Sequence, residues 1–145
     1  KELQRARTLG VADDSVLPLL TRAWLKLGKH DELLALDLQG MSNKSKAEVM
    51  ASQGIALLAE GQRDEAGSRI DAALAQYPKS PYALAAKARV SISGHEFDQA
   101  RAELQQALAI DEVFAPAWGL LGDIERQLEH AATGRYSASY RHPMA

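Results

Sequence analysis

Residues 46–79 read KAEVMASQGIALLAEGQRDEAGSRIDAALAQYPK, and residues 80–113 read SPYALAAKARVSISGHEFDQARAELQQALAIDEV. Laid one above the other, they put Ala66 over Ala100, Ile70 over Leu104, Ala73 over Ala107, Leu74 over Leu108 and Ala75 over Ala109. Asp64 falls over Asp98, and Gly54 over Ala88, so every pair is 34 residues apart. One further shift brings Leu84 over Trp118 and Ala88 over Gly122. In the other direction Met50 follows Leu17 by 33 residues, so one residue is missing in the loop around Met41–Ser45. A period of this length through most of a chain describes stacked supersecondary units, none of which buries its apolar face alone.

The units are helical. Alanine and leucine dominate, aromatics are only 6%, and no stretch sustains strand alternation. Met50, Leu57, Ile70 and Leu74 recur at three- and four-residue spacings and give each helix an apolar stripe. Gly54 falls inside a helix, where glycine costs about 1 kcal/mol relative to alanine. Close approach of two helices offsets that cost if Gly54 and Ala66, both small, face one another. Local signals set the boundaries. Ser45-x-x-Glu48 reads as a capping box that starts a helix near Lys46. Gly61 ends that helix and Pro78 closes its partner. Ser80 caps the next with Pro81 at its first position, Gly94 ends it, and Pro116 opens another. Helices are predicted at about 2–9, 15–27, 31–39, 46–60, 63–76, 81–93, 97–110, 115–128 and 131–140.

A 34-residue helical period with these residues resembles the tetratricopeptide repeat family, whose pattern is W-x2-L-G-x2-Y, then A-x3-F, then an alanine and a proline. The second repeat carries Gly54, Leu57, Ala66, Ile70, Ala73 and Pro78. The third carries Leu84, Ala88, Phe97, Ala100, Leu104 and Ala107, and the fourth Trp118, Leu121 and Gly122. The first is degenerate: it keeps Leu17, Leu20, Trp24 and Gly28, but has Leu33 where a small residue is usual and Asp37 where a large apolar one is. The resemblance implies an all-α solenoid of helix–turn–helix repeats wound into a right-handed superhelix. It divides a single domain into 1–12 (the second helix of a truncated repeat), 13–46 (the degenerate repeat), 47–80, 81–114 and 115–145 (a partial C-terminal repeat). The chain reads as a segment of a longer array, whose exposed ends are candidates for self-association. The last stretch has two registers. In the strict one Gly134 takes the alanine position, and Tyr136 and Tyr140 miss the large apolar one. A two-residue deletion brings Ala132 and Tyr136 into place, and the sequence leaves both registers open.

Little in the chain points to catalysis. Without cysteine there is no disulfide, thiolate metal site or cysteine nucleophile. His30, His95 and His130 each fall in a predicted turn, but in different repeats about 10 Å apart, and no two ligands share i, i+4 spacing. Asp13-Asp14 and Asp64-Glu65 sit where acids complement helix starts. No phosphate-binding loop or nucleophile elbow is present. Seventeen Lys and Arg against nineteen Asp and Glu give a net charge of −2, which lacks the basic excess of a nucleic-acid binder. Lys1, Arg5 and Arg7 read as a solvated helix face, and Arg135, Tyr136, Tyr140 and Arg141 as packing of a final helix. No apolar run approaches the roughly 18 residues of a membrane span. The expected protein is therefore not an enzyme and has no catalytic, cofactor or metal site.

Proteins of the resembled family bind peptides or helical segments in a concave groove lined by the first helix of each repeat. Helical periodicity places Arg22, Leu25 and Lys26 there, then Ser52, Ile55, Leu58 and Ala59, then Tyr82, Ala85, Arg89 and Ile92, and finally Asp123 and Arg126. Ile55, Leu58 and Ile92 suit packing between adjacent repeats equally well. The chaperone-binding class of the family holds a C-terminal carboxylate with a clamp of lysines and asparagines. At the matching positions this chain has Pro18, Arg22, Ser52, Tyr82 and Ala86, so the clamp is absent. An apolar middle with arginines at intervals suits an amphipathic protein segment. A narrower resemblance, carried by residues 5–34 (RARTLGVADDSVLPLLTRAWLKLGKHDELL), is to proteins of this family found with bacterial exosortase and exopolysaccharide systems. It implies an accessory module of a periplasmic or envelope export or sorting machine, whose groove contacts another domain of the same chain. The compartment otherwise stays open.

Overall fold

A computed structural model describes the chain over residues 13–141, and its side chains from 16 to 134. Seven helices follow one another with no strand among the described residues: α1 (Asp13–Leu27), α2 (His30–Leu34), α3 (Asn43–Ala59), α4 (Arg63–Gln76), α5 (Pro81–Ser93), α6 (Phe97–Ile110) and α7 (Ala115–Arg141). The predicted helix at 2–9 lies outside the described residues. Each helix packs only on helices of its own repeat or the adjoining one, the arrangement of a solenoid. The core is accordingly a row of three sections. Leu17, Trp24, Leu33 and Val49 fill the first, Met50, Ile70, Ala73 and Ala83 the second, and Leu84, Leu104, Ala117 and Ile124 the third.

The tightest point lies inside the second repeat. A Cβ added to Gly54 would collide with Ile70 Cγ1, stand 2.8 Å from Ile70 Cδ1 and 3.2 Å from the Ala66 carbonyl oxygen. The glycine therefore makes room for a branched side chain and a backbone carbonyl, rather than for the methyl of Ala66. Next to it Gln53, 1% exposed, ties three helices together. Its Nε2 donates to the Leu33 carbonyl of α2 at 3.0 Å, and its Oε1 accepts from Arg69 Nε of α4 at 2.8 Å. Two reaches from the start of a second helix to the repeat that follows recur 33 residues apart: His30 meets Glu60 at 3.2 Å, and Arg63 meets Ser93 at 3.0 Å and Glu96 at 2.7 Å. These pairs are exposed, and each is worth at most about 1 kcal/mol.

The turns inside the repeats share one device. Gly28, Gly61 and His95 occupy equivalent positions with φ of 74°, 82° and 59°. This left-handed conformation reverses the chain, and it strains any residue with a Cβ. In the third repeat the glycine stands one residue early, at Gly94, so a histidine takes the left-handed place.

Four predicted features differ. The helix expected at 31–39 is only α2, His30–Leu34. Asp37 Oδ1 accepts the Gln39 N–H at 3.0 Å and Gly40 turns at φ 84°, so a local turn outcompetes the helix. Leu36 and Leu38 still pack against the first core section. The start of α3 is set by Ser42, whose Oγ accepts from Ser45 N at 3.3 Å. Ser45 is buried within the helix, and Glu48 pairs with Arg22 instead of closing a capping box. The predicted helices 115–128 and 131–140 are one continuous helix, α7. Leu128, Glu129, His130 and Ala131 are all helix-compatible, and no glycine or proline breaks them. His130 is consequently a helical residue, not a turn residue. Because α7 does not fold back, Trp118 is 57% exposed, whereas Leu84 and Met50, its counterparts one and two repeats earlier, are each 6% exposed.

Two tests follow from this packing. Gly54→Ala is expected to lower the melting temperature although alanine favours a helix, and Gly54→Leu to cost about 1–3 kcal/mol by overpacking. At Gly119, in contrast, an added Cβ meets nothing within 4 Å, so Gly119→Ala should gain about 1 kcal/mol. Thermal unfolding followed by circular dichroism reads both, and a Gly54→Ala as stable as Gly119→Ala would refute the close approach. In a second series, His95→Gly should raise stability by about 1 kcal/mol by relieving left-handed strain, whereas Gln53→Leu should lose about 1–3 kcal/mol by stranding the Leu33 carbonyl and the Arg69 guanidinium. Urea denaturation measures each change.

Candidate functional site

The first helices α1, α3, α5 and α7 stand in a row. Residues spaced three or four apart line the same side of each one. Their side chains enclose two depressions. The first, about 420 Å³, is bounded by Arg22, Leu25 and Lys26 of α1, Ile55 of α3, Tyr82, Ala85, Ala86 and Arg89 of α5, and Phe114 and Pro116 at the start of α7. Residues from α1 to the start of α7 share this one space. The second, about 370 Å³, is bounded by Ile55, Leu58 and Ala59 of α3, Arg89, Ile92 and Ser93 of α5, and Leu120, Asp123 and Gln127 of α7. Ile55 and Arg89 border both, so the two depressions adjoin along the same row of helices and together make up a trough with Ile55 and Arg89 at its middle.

Its wall near α1 is held rigidly. The Arg22 guanidinium lies over the Tyr82 ring, 4.2 Å from its centroid, and donates to Glu48 Oε1 at 2.5 Å. The Tyr82 hydroxyl and Ser52 Oγ are hydrogen-bonded at 2.9 Å. Arg22 and Tyr82 are therefore already engaged and form a preset surface. Lys26 and Arg89 are different, because neither has an ion-pair partner among the described residues. At the far end Asp123 is paired with Arg126. The floor between is apolar: Leu25, Ile55, Leu58, Ile92 and Phe114. Ile55 and Ile92 also pack on the adjacent core sections, so each serves both purposes.

Of the residues picked by periodicity, Arg22, Leu25, Lys26, Ile55, Leu58, Ala59, Tyr82, Ala85, Arg89, Ile92 and Asp123 border the trough, and two do not. Ser52 is fully buried between α3 and α5. A hydroxyl there needs a partner, and it finds one in Tyr82, so Ser52 holds a wall residue without touching the trough. Arg126 turns toward Gln127, His130 and Ala131 on the outer stretch of α7. Ala86, Ser93, Pro116, Leu120 and Gln127 were missed, although Pro116 lies 34 residues after Tyr82, and Leu120 and Gln127 lie 34 after Ala86 and Ser93. Phe114 precedes α7 in a loop, where helical periodicity has no reach.

No curated protein sequence matches the chain. A family profile described as tetratricopeptide repeat matches residues 57–124, from the end of α3 into α7. Together with the stacked helix pairs, this match supports the tetratricopeptide repeat family for the chain, and its fold is an all-α solenoid of that kind.

Proposed function

We propose that the chain is a non-catalytic interaction scaffold that holds a peptide or helical segment of a protein in the trough lined by α1, α3, α5 and α7. Tetratricopeptide repeats generally mediate protein–protein interaction, and the fold is typically a scaffold. The observation that carries the reading is that two apolar-floored depressions adjoin at Ile55 and Arg89 along the row of first helices. An open, elongated trough with an apolar floor matches an extended or helical segment better than a compact small molecule. Half-buried apolar side chains of the floor supply affinity as the rest of their surface is covered. The pinned Arg22–Tyr82 wall supplies shape without an ordering cost at binding. The alternative, an accessory module of an exopolysaccharide-export or protein-sorting machine, rests on residues 5–34 alone.

Selection from an unbiased peptide display library on the immobilised chain tests this reading. Enriched peptides should compete with one another for a single site. Leu58→Glu puts a charge on the trough floor and is expected to weaken them by about tenfold or more, equivalent to about 1.4 kcal/mol, while circular dichroism stays helical. Peptides that bind Leu58→Glu as well as the wild-type chain would exclude the trough.

A further inference from the structure

The charges around the trough do not cancel. Glu48 is taken by Arg22, and Asp123 by Arg126. Lys26 and Arg89 remain, both bordering the first depression and neither paired within the described residues. They stand on α1 and α5, with Ile55 of α3 on the floor that they share. The chain as a whole carries a net charge of −2, so this local excess of positive charge runs against the overall balance. A ligand that lies on the apolar floor must bring these two cations out of water. An uncompensated cation loses hydration there, whereas a carboxylate opposite it makes a charge-assisted hydrogen bond.

Resting on the scaffold reading above, we infer that the partner segment is acidic. It is an amphipathic peptide that places a bulky apolar residue among Leu25, Ile55 and Phe114, with Asp or Glu side chains flanking that anchor to meet Lys26 and Arg89. Arg22 already donates to Glu48 and is stacked on Tyr82, so its charge is balanced within the wall and the uncompensated cations are Lys26 and Arg89. Specificity then comes from side-chain carboxylates within the segment and does not require a free C-terminus. Charge repulsion rejects basic amphipathic segments at the same two positions.

The library selection described above tests this when it is read for composition and repeated on charge-reversed chains. Peptides enriched by the wild-type chain should carry Asp or Glu within a helical turn of an aromatic or large aliphatic residue, with capped and free C-termini binding alike. For one such peptide, fluorescence anisotropy should show Arg89→Glu and Lys26→Glu each weakening binding about tenfold or more. Affinity should fall as salt is raised, and replacing the peptide's acids with Lys should restore binding to Arg89→Glu. Enriched peptides without acids, bound equally by Arg89→Glu but lost with Leu58→Glu, would overturn the acidic partner and leave the scaffold reading standing. Loss with neither variant would remove both. Displacement by inorganic phosphate or by heparin as readily as by a second acidic peptide would show a general anion site and overturn the assignment to a protein carboxylate.

Discussion

Two helices of a repeat approach so closely at Gly54 that no Cβ fits between α3 and the Ile70 side chain of α4. That distance conditions the rest of the stack. Each helix pair has a small interior, so it must share its apolar residues with the neighbouring pair to exclude water. Ala88 takes the place of Gly54 in the third repeat and is fully buried, with Ala100 and Leu104 in the same core section. Small residues at the close approach and large ones to either side repeat together. The first helices are thereby set side by side, and their outward stripes meet in one trough.

Chain reversal is the second requirement, and it depends on single residues. Gly28, Gly61 and His95 hold the left-handed conformation that lets a second helix return along the first. At the equivalent place in the fourth repeat stands Glu129, inside a run that favours helix. The reversal fails there and α7 continues. Gly122 sits where Gly54 and Ala88 meet a second helix, yet an added Cβ would find only the Arg126 side chain, 3.5 Å away. The fourth repeat thus supplies a first helix, but the turn that would bring a second one back along it is missing at Glu129.

This contrast explains what could be read from the sequence. The period, the small residues and the four helices from 63–76 to the start of α7 were legible, because helix pairing needs those residue types at those spacings. Boundaries set by one side chain among several candidates were not. Ser42 and Ser45 are both competent caps, and only the burial of Ser45 decides between them. Asp37 was visible as an odd residue, but its side chain can stay in a helix or bond the Gln39 N–H in a turn, and residue type alone does not choose between two local structures of similar stability. In the trough, periodicity found the side of the helix but not the depth of each side chain. Ser52 and Tyr82 share a stripe, yet one is buried as the other's partner. Phe114 lies off any helix, so no period could place it.

Net charge is a poor guide to such a surface, and the pairing pattern shows why. Several acids are spent on contacts between repeats or between helices: Glu60 with His30, Glu96 with Arg63, Glu125 with Arg101. These pairs stand at repeat junctions, where opposite charges are brought together by the stacking itself. The trough receives what the junctions leave over. Arg89 sits on the exposed side of α5 with apolar neighbours on both sides and no ion-pair partner among the described residues, Asp123 across the second depression being paired with Arg126, and Lys26 faces the first depression from α1. A cation kept beside an apolar floor without a partner stays hydrated in the free protein at little cost. Once the floor is covered, only an opposing charge compensates for the lost water. The junctions thus engage one set of charges and leave another beside the apolar floor, and on the proposed reading that second set selects among segments entering the trough.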